Sequence, residues 1–221
     1  IAQIGVGYWG PNLLRNLVTN QNISVKMAAD RSEERRTFII NKYPDIRVTD
    51  NSDLIFKDND INAVVIATPV RSHFDLTMQA LESGKHVLVE KPMATNINQV
   101  KKIGQLANKK NLIAMVGHTF LFNNAVRYVK KLIDNGELGD IRYIYSQRVN
   151  LGRIRNDVDA LWNFAPHDIS IVQYWLNEPQ PLESTLSGMD YVQKGINDVG
   201  FMNIKYPGNI MANIHVSWLD P

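Results

Sequence analysis

A hexapeptide near the start of the chain, Gly5-Val6-Gly7-Tyr8-Trp9-Gly10, follows an apolar run and precedes a segment with helical periodicity. Its glycines are spaced as G-x-G-x-x-G. This spacing allows a tight turn and lets the backbone approach a pyrophosphate at the positive N-terminus of the next helix. We predict that every residue of the hexapeptide except Val6 contacts a dinucleotide.

An acidic residue lies at the position that binds the ribose in dinucleotide sites of this kind. Asp30 lies twenty residues after Gly10 at the end of the next apolar run, where its carboxylate can accept hydrogen bonds from a ribose diol. The neighbouring Arg31 could tolerate a 2′-phosphate or stack over adenine, whereas Asp30 would repel that phosphate. We therefore predict NAD as the cofactor, with NADP as the alternative.

Two tripeptides, Ala67-Thr68-Pro69 and Glu90-Lys91-Pro92, each follow an apolar run typical of a buried strand. Ligands of doubly wound sheets bind beyond the carboxyl ends of the strands, so both tripeptides are expected to face the cofactor crevice. Their predicted cofactor contacts are Thr68, Pro69, Glu90 and Lys91. His73 follows soon after the first tripeptide and is a further candidate. For Lys91, position alone fits a solvated loop lysine equally well.

A histidine later in the chain is the candidate for proton transfer. The tripeptide Pro166-His167-Asp168 is predicted to open a helix over residues 166–176, because proline suits the first turn and an acid suits its positive end. A histidine at a helix start beside a carboxylate can be oriented and tuned as a general acid or base. His167 is therefore the catalytic candidate in this half of the chain.

The polar segment 151–163 is predicted to be a loop that contributes to a substrate site. Arg153 and Arg155 could clamp an anionic group such as a carboxylate or a diphosphate. Solvated arginines beside nearby acids fit the same residues at least as well. Trp162 could form the wall of a pocket or fill the core.

The segments around these residues alternate between apolar runs and stretches of helical period up to about residue 117. We predict strands over 1–6, 23–29, 63–67, 86–89 and 112–116, with helices over 12–19, 33–41, 72–83 and 96–109. Nearly continuous apolar strands joined by helices are typical of a parallel sheet covered on both faces. The fold class is therefore α/β, with a Rossmann-type doubly wound parallel sheet.

The pattern changes after Gly117. A helix is predicted over 124–134, and residues 199–206 and 210–218 alternate at period two around a Pro-Gly turn, which indicates an antiparallel hairpin. We predict a second α+β domain with a mostly antiparallel sheet. The expected domains are a dinucleotide-binding domain over 1–119 and this second domain over 120–221.

Composition excludes several other classes of protein. The formal net charge is only +2, with lysine and arginine scattered among acids, which argues against nucleic-acid binding. The chain has no cysteine, and its His, Asp and Glu residues lack metal-ligand spacing, so no metal is predicted. No apolar run is long enough to span a membrane, and a cytoplasmic location is expected. Ile1 lies inside an apolar run and Pro221 closely follows the end of a predicted strand, so we expect the chain to be a fragment.

Taken together, these motifs resemble the Gfo/Idh/MocA family of NAD(P)-dependent oxidoreductases, and the resemblance covers most of the chain. Glu90-Lys91-Pro92 is its most specific element. The resemblance is greatest to members that act on sugars, especially nucleotide-sugar 3-dehydrogenases and 3-ketoreductases of surface-glycan pathways. It implies hydride transfer between nicotinamide and a secondary alcohol or ketone, with Lys91 between nicotinamide and substrate and His167 as acid/base group. Asn163 stands where many members have an aspartate.

The resemblance also implies that the second domain, over 120–221, binds substrate and forms a homo-oligomer through an open, mostly antiparallel sheet, which would be incomplete in this chain. Substrate contacts are expected from Lys91, Arg153, Trp162, Asn163 and His167. We favour His167 as the proton acceptor, with Lys91 stabilising the reacting oxygen, although the reverse assignment is open. Alternative functions are an inositol, polyol or dihydrodiol dehydrogenase, or a non-catalytic dinucleotide-binding regulator of the same fold.

Overall fold

The computed structural model describes residues 1–151, 154–156 and 158–221, and it divides into two units, Ile1–Gly117 and His118–Pro221. The elements of the first unit are β1 (Ala2–Ile4), α1 (Gly10–Thr19), β2 (Met27–Ala29), α2 (Glu33–Lys42), β3 (Arg47–Thr49), α3 (Asp53–Lys57), β4 (Ala63–Ile66), α4 (His73–Glu82), β5 (His86–Val89), α5 (Ile97–Lys110) and β6 (Ala114–Val116). Those of the second are α6 (Asn124–Asp134), β7 (Tyr143–Val149), α7 (Ala160–Trp175), β8 (Glu183–Met189), β9 (Val199–Tyr206) and β10 (Ile210–Ser217). Within the described ranges, none of these helices has the length and apolarity needed to cross a bilayer.

The first unit is built on a six-stranded sheet in the order β3-β2-β1-β4-β5-β6, and all of its strand pairs are parallel. Apolar side chains form a core cluster on each side of the sheet, since Met27 and Ala29 of β2 belong to one cluster and Ala28, between them, belongs to the other. The strand order reverses between β1 and β4, so the loops that follow these strands flank a crevice. The predicted doubly wound parallel sheet is confirmed.

One strand and one helix of the first unit are absent from the sequence-based prediction. β3 is an edge strand with an exposed Arg47 and a half-buried Thr49, so it has no apolar run to mark it. The helix α3 has only five residues. β2 is also shorter than predicted, because only Met27–Ala29 pairs with its neighbours.

The second unit contains a four-stranded sheet in the order β7-β10-β9-β8. Its β10–β9 pair is the predicted antiparallel hairpin, the β9–β8 pair is also antiparallel, and β7 runs parallel to β10. The helix α7 covers one face, where Leu161 and Val172 pack against inward side chains such as Ile214 and Trp218. A side chain at Gly200 would lie 2.5 Å from Leu161 Cγ, so this glycine permits close packing of the helix on β9.

The predicted start of α7 is wrong. The helix begins at Ala160 rather than at Pro166, and Asp159 caps it by accepting a 2.8 Å hydrogen bond from the backbone N–H of Trp162. Pro166 therefore lies inside the helix. The loss of one helical hydrogen bond is tolerated because apolar residues on both sides of the proline pack against the sheet. As a result, His167 lies in the middle of the helix and not at its positive end.

Candidate active site

The glycine-rich turn between β1 and α1 has little space for side chains at its two ends. Gly5 has a φ of +90°, and a Cβ there would lie 2.6 Å from the carbonyl oxygen of Ala67. A Cβ on Gly10 would lie 2.5 Å from the carbonyl oxygen of Gly5. Around Gly7 the situation is reversed, because no described atom beyond its chain neighbours lies within 4 Å of a Cβ. The turn thus combines tight ends with an open middle that a ligand can approach.

Asp30 is fixed beside this turn. Its Oδ2 accepts a 2.7 Å hydrogen bond from the backbone N–H of Val6, and its Oδ1 accepts one of 2.9 Å from Ser32. The guanidinium group of Arg36 donates to the carbonyl oxygens of Asp30 and Arg31, which holds the backbone between β2 and α2. An ionised carboxylate has about four lone-pair sites, so two remain for ribose hydroxyls. The side chain of Arg31 is exposed.

The loops after β4 and β5 are joined by the buried ring of His73. Its Nε2 lies 2.7 Å from the carbonyl oxygen of Thr68, and its Nδ1 lies 2.8 Å from that of Pro92. The side chain is only 2% exposed. His73 therefore holds the two loops together, and its ring nitrogens are engaged by backbone rather than available for the direct cofactor contact expected from the sequence. Pro69 directly follows Thr68 and precedes a short 3-10 turn.

Glu90 and Lys91 follow β5 at the same edge of the sheet as the glycine-rich turn. Burial raises the pKa of the Glu90 carboxyl, and hydrogen bonding and charge from Lys91 together with a hydrogen bond from Trp9 offset part of this increase. A side chain at Gly117 would lie 2.9 Å from Glu90 Oε1, so the carboxyl group packs closely against the end of β6. The Lys91-Pro92 peptide bond is cis. In the turn, Tyr8 and Trp9 are 80% and 45% exposed.

In the second unit, His167 packs edge-on against Phe120, with 4.8 Å between the ring centroids. The guanidinium carbon of Arg148 lies 4.5 Å from the centre of the Phe120 ring. Arg148 in turn donates to the buried carboxylate of Asp168 through Nε at 2.6 Å and Nη2 at 3.2 Å. Ser146 Oγ donates to the same carboxylate at 2.6 Å. Phe120 therefore contacts both the candidate histidine and the arginine of the Arg148–Asp168 ion pair.

The other predicted substrate contacts have separate positions. Asn163 and His167 are four residues apart on α7 and so lie on one side of the helix. Trp162 is on the first turn of the same helix and is 46% exposed. Arg153 lies outside the described residues. The carbonyl oxygen of Arg155 accepts a 2.9 Å hydrogen bond from Gln193 Nε2, which ties this segment to the β8–β9 loop.

The sequence analysis missed two residues that organise these sites: Gln3, whose amide contacts the glycine-rich turn, and Arg148, which pairs with the carboxylate of Asp168. An arginine on the helix-facing side of β7 was an available signal, because a half-buried arginine favours a charged partner. The candidate residues of the first unit, from the glycine-rich turn to Lys91, share the carboxyl edge of its sheet. Asn163, His167, Phe120 and Arg148 belong to the second unit.

The tight glycine positions, the open space at Gly7 and the carboxylate of Asp30 fit the diphosphate and ribose of a dinucleotide. The first unit is therefore a dinucleotide-binding Rossmann domain. Residues 1–118 match the family model described as "Oxidoreductase family, NAD-binding Rossmann fold", and residues 126–221 match the Gfo/Idh/MocA C-terminal domain. The chain belongs to the Gfo/Idh/MocA family, and its first domain is the NAD-binding domain of that family.

Relatives of the chain have several different activities. The 2,7-anhydro-N-acetylneuraminate hydratase of Mediterraneibacter gnavus is 27% identical over 96% of this chain and 59% of its own length. The scyllo-inositol 2-dehydrogenase (NADP(+)) of Bacillus subtilis is 31% identical over 72% of this chain and 41% of its own length. The crystal structure of GenD2 from gentamicin A biosynthesis in complex with NAD has a TM-score of 0.94 at 21% identity, covering 100% of this chain and 66% of that chain. This chain spans about three fifths of the length of the curated relatives that it matches.

Proposed function

We propose that the protein is an NAD(P)-dependent oxidoreductase that transfers a hydride between nicotinamide and a secondary alcohol or ketone of a sugar. The observation that carries this proposal is the position of Lys91. It is the second residue after β5, at the edge of the sheet that holds the glycine-rich turn, in a loop anchored through His73 and Glu90. A lysine anchored beside a dinucleotide-binding turn can donate to an oxygen that reacts with the bound cofactor.

The chain supplies binding, orientation and proton handling for this reaction, and NAD supplies the hydride acceptor when bound. The glycine-rich turn and Asp30 hold the dinucleotide. Lys91 donates a hydrogen bond to the substrate oxygen and stabilises the negative charge that develops on it. His167 accepts the hydroxyl proton, because an imidazole ordinarily titrates near neutral pH and an ammonium group does not. Oxidation then yields a ketone, reduced nicotinamide and one proton on His167.

For the substrate we propose a nucleotide sugar of surface-glycan biosynthesis. Arg153 and Arg155 would supply positive charge to its diphosphate. Inositols and other polyols form the second candidate class, and the inositol dehydrogenase among the relatives supports it.

The absence of cysteine from the chain is compatible with a cytoplasmic location, which we also propose.

We further propose that two copies associate through the face of the second sheet opposite α7. This face carries exposed aromatic and sulfur-containing side chains, including Tyr143, Tyr145 and Met211. On the same face His215 stacks on Phe201, with 4.4 Å between the ring centroids. Exposed apolar surface of this kind marks protein interfaces. Light scattering should detect a dimer or larger oligomer, and Tyr145→Glu should convert it to monomer. A monomeric wild-type protein at micromolar concentration would exclude this interface.

The experiment that tests the proposed function is a substrate screen with a matched pair of lysine variants. Nucleotide sugars and inositols are supplied with NAD or NADP, and reduced nicotinamide is followed by absorbance. Lys91→Met should lower turnover about 100-fold to 1000-fold and change NAD binding little, because the glycine-rich turn and Asp30 hold the cofactor independently. Lys109→Met, which alters an exposed lysine on α5, should have wild-type turnover. Normal turnover in Lys91→Met would refute the assignment. NAD binding with no turnover on any substrate would favour the non-catalytic regulator.

A further inference from the structure

Gln3 is a polar side chain in the centre of an apolar sheet. It is the middle residue of β1, whose three residues are all buried, and its own exposure is 0%. A buried amide destabilises a protein unless hydrogen bonds compensate for the loss of water. An apolar residue would be the ordinary choice at this position, so the amide must make contacts that an apolar side chain cannot make.

Those contacts join the two ends of the glycine-rich turn. Gln3 Nε2 donates to the carbonyl oxygen of Gly5 at 2.9 Å and to that of Gly10 at 2.9 Å. An amide nitrogen has two N–H groups, and both are used here. The orientation of the amide follows from its partners, since a flipped amide would direct its oxygen at two carbonyl oxygens. Gln3 Oε1 has no hydrogen-bond partner among the residues that the structure describes.

The geometry of the turn depends on this bridge. A Cβ on Gly10 would lie 2.5 Å from the Gly5 carbonyl oxygen and 3.1 Å from Gln3 Nε2, so these three groups share one small buried space. Carbonyl oxygens carry partial negative charge and repel phosphate. The amide of Gln3 holds two of them on the buried side of the turn, whereas the space beside Gly7 is open.

We propose that Gln3 is a positioning residue for the diphosphate of the bound dinucleotide. By bridging Gly5 and Gly10 it fixes the turn in its binding conformation before the ligand arrives, which reduces the entropy lost on binding. Asp30 holds the same turn independently through the N–H of Val6. The inference rests on dinucleotide binding by the first domain and not on hydride transfer, so it can fail or hold separately from the proposed function.

The test separates the diphosphate from the rest of the ligand. NAD and ADP-ribose contain a diphosphate and adenosine does not, and all three are titrated into the full chain by calorimetry or by chemical-shift changes. Gln3→Met keeps a similar volume without a donor, and Gln3→Glu places acceptor oxygens against both carbonyls. The control is Thr77→Val, a change of similar size at another buried polar side chain, on α4.

Gln3→Met should weaken NAD and ADP-ribose about tenfold and leave adenosine within about twofold of wild type, where tenfold corresponds to 1.4 kcal/mol. Gln3→Glu should weaken the two diphosphate ligands at least as much, and Thr77→Val should change none of the three. Unchanged NAD affinity in Gln3→Met would overturn the proposal. An equal loss for all three ligands would also overturn it, because the role would then be structural only.

A measurement on the wild-type protein tests the same inference if the variants fold poorly. The side-chain amide protons of Gln3 should exchange slowly with solvent, and their resonances should shift on addition of ADP-ribose but not of adenosine. Rapid exchange, or equal shifts with both ligands, would contradict the bridge.

Discussion

Replacing Gly5 with alanine would place a methyl group against the end of β4. The new Cβ would lie 2.6 Å from the carbonyl oxygen of Ala67 and 2.8 Å from Cγ2 of Thr68, in a residue with a φ of +90°. The left-handed backbone costs about 1–2 kcal/mol for a residue with a Cβ. Overpacking against a backbone that cannot move aside costs about 1–3 kcal/mol. Together these effects should lower the free energy of unfolding of the first unit by about 2–5 kcal/mol.

Calorimetry can measure this effect, with Gly7→Ala as the matched control. At roughly 4 °C per kcal/mol, Gly5→Ala should lower the unfolding temperature of the first unit by roughly 8–20 °C. Gly7→Ala should have an unfolding temperature within about 2 °C of wild type, since no described atom beyond the chain neighbours lies within 4 Å of the new Cβ. It should nevertheless weaken NAD binding, because the methyl group enters the space proposed for the diphosphate. Equal unfolding temperatures for the two variants would refute this reasoning.

Three further variants test other parts of the molecule. Asp30→Ala should weaken NAD more than NADP in fluorescence titrations, and a uniform loss for both would contradict the proposed ribose contact. Arg148→Met leaves the carboxylate of Asp168 buried without its ion-pair partner, and should cost about 3–5 kcal/mol in denaturant unfolding, partly restored by adding Asp168→Asn. Burial raises the pKa of Asp198, but hydrogen bonds from the Trp218 indole and two backbone N–H groups outweigh burial and leave that pKa below its usual value. The ionised carboxylate therefore stabilises the second unit above about pH 4, and this stabilisation is lost as the pH falls through the lowered pKa. In denaturant unfolding, Asp198→Asn should show a smaller decrease in the free energy of unfolding on acidification than the wild-type protein.

The parts of the site that could be predicted from the sequence are those encoded within a few residues. The glycine-rich turn has its own spacing, and Asp30 ends the next strand, so both follow from local pattern and the rules of doubly wound sheets. The hairpin of β9 and β10 was likewise marked by period-two alternation and a Pro-Gly turn.

Other features depend on contacts between distant parts of the chain. The ring of His73 contacts Pro92, nineteen residues away, and Arg148 pairs with Asp168, twenty residues away. A local sequence pattern predicts neither contact. The start of α7 was mispredicted because Pro166 is a strong local signal, whereas packing of the helix against the sheet decides where it begins. The hydrogen bonds from Gln3 could not be predicted from the sequence, because they depend on the positions of Gly5 and Gly10 in the folded chain.

We propose above that Lys91 and His167 assist hydride transfer between nicotinamide and a sugar. The most direct measurement follows deuterium from reduced cofactor labelled at C4 of the nicotinamide into candidate keto sugars, by mass spectrometry. We predict one deuterium per product molecule with the wild-type protein, and at least about 100-fold slower incorporation with Lys91→Met or His167→Asn at unchanged cofactor affinity. Incorporation at the wild-type rate in either variant would contradict the claim for that residue.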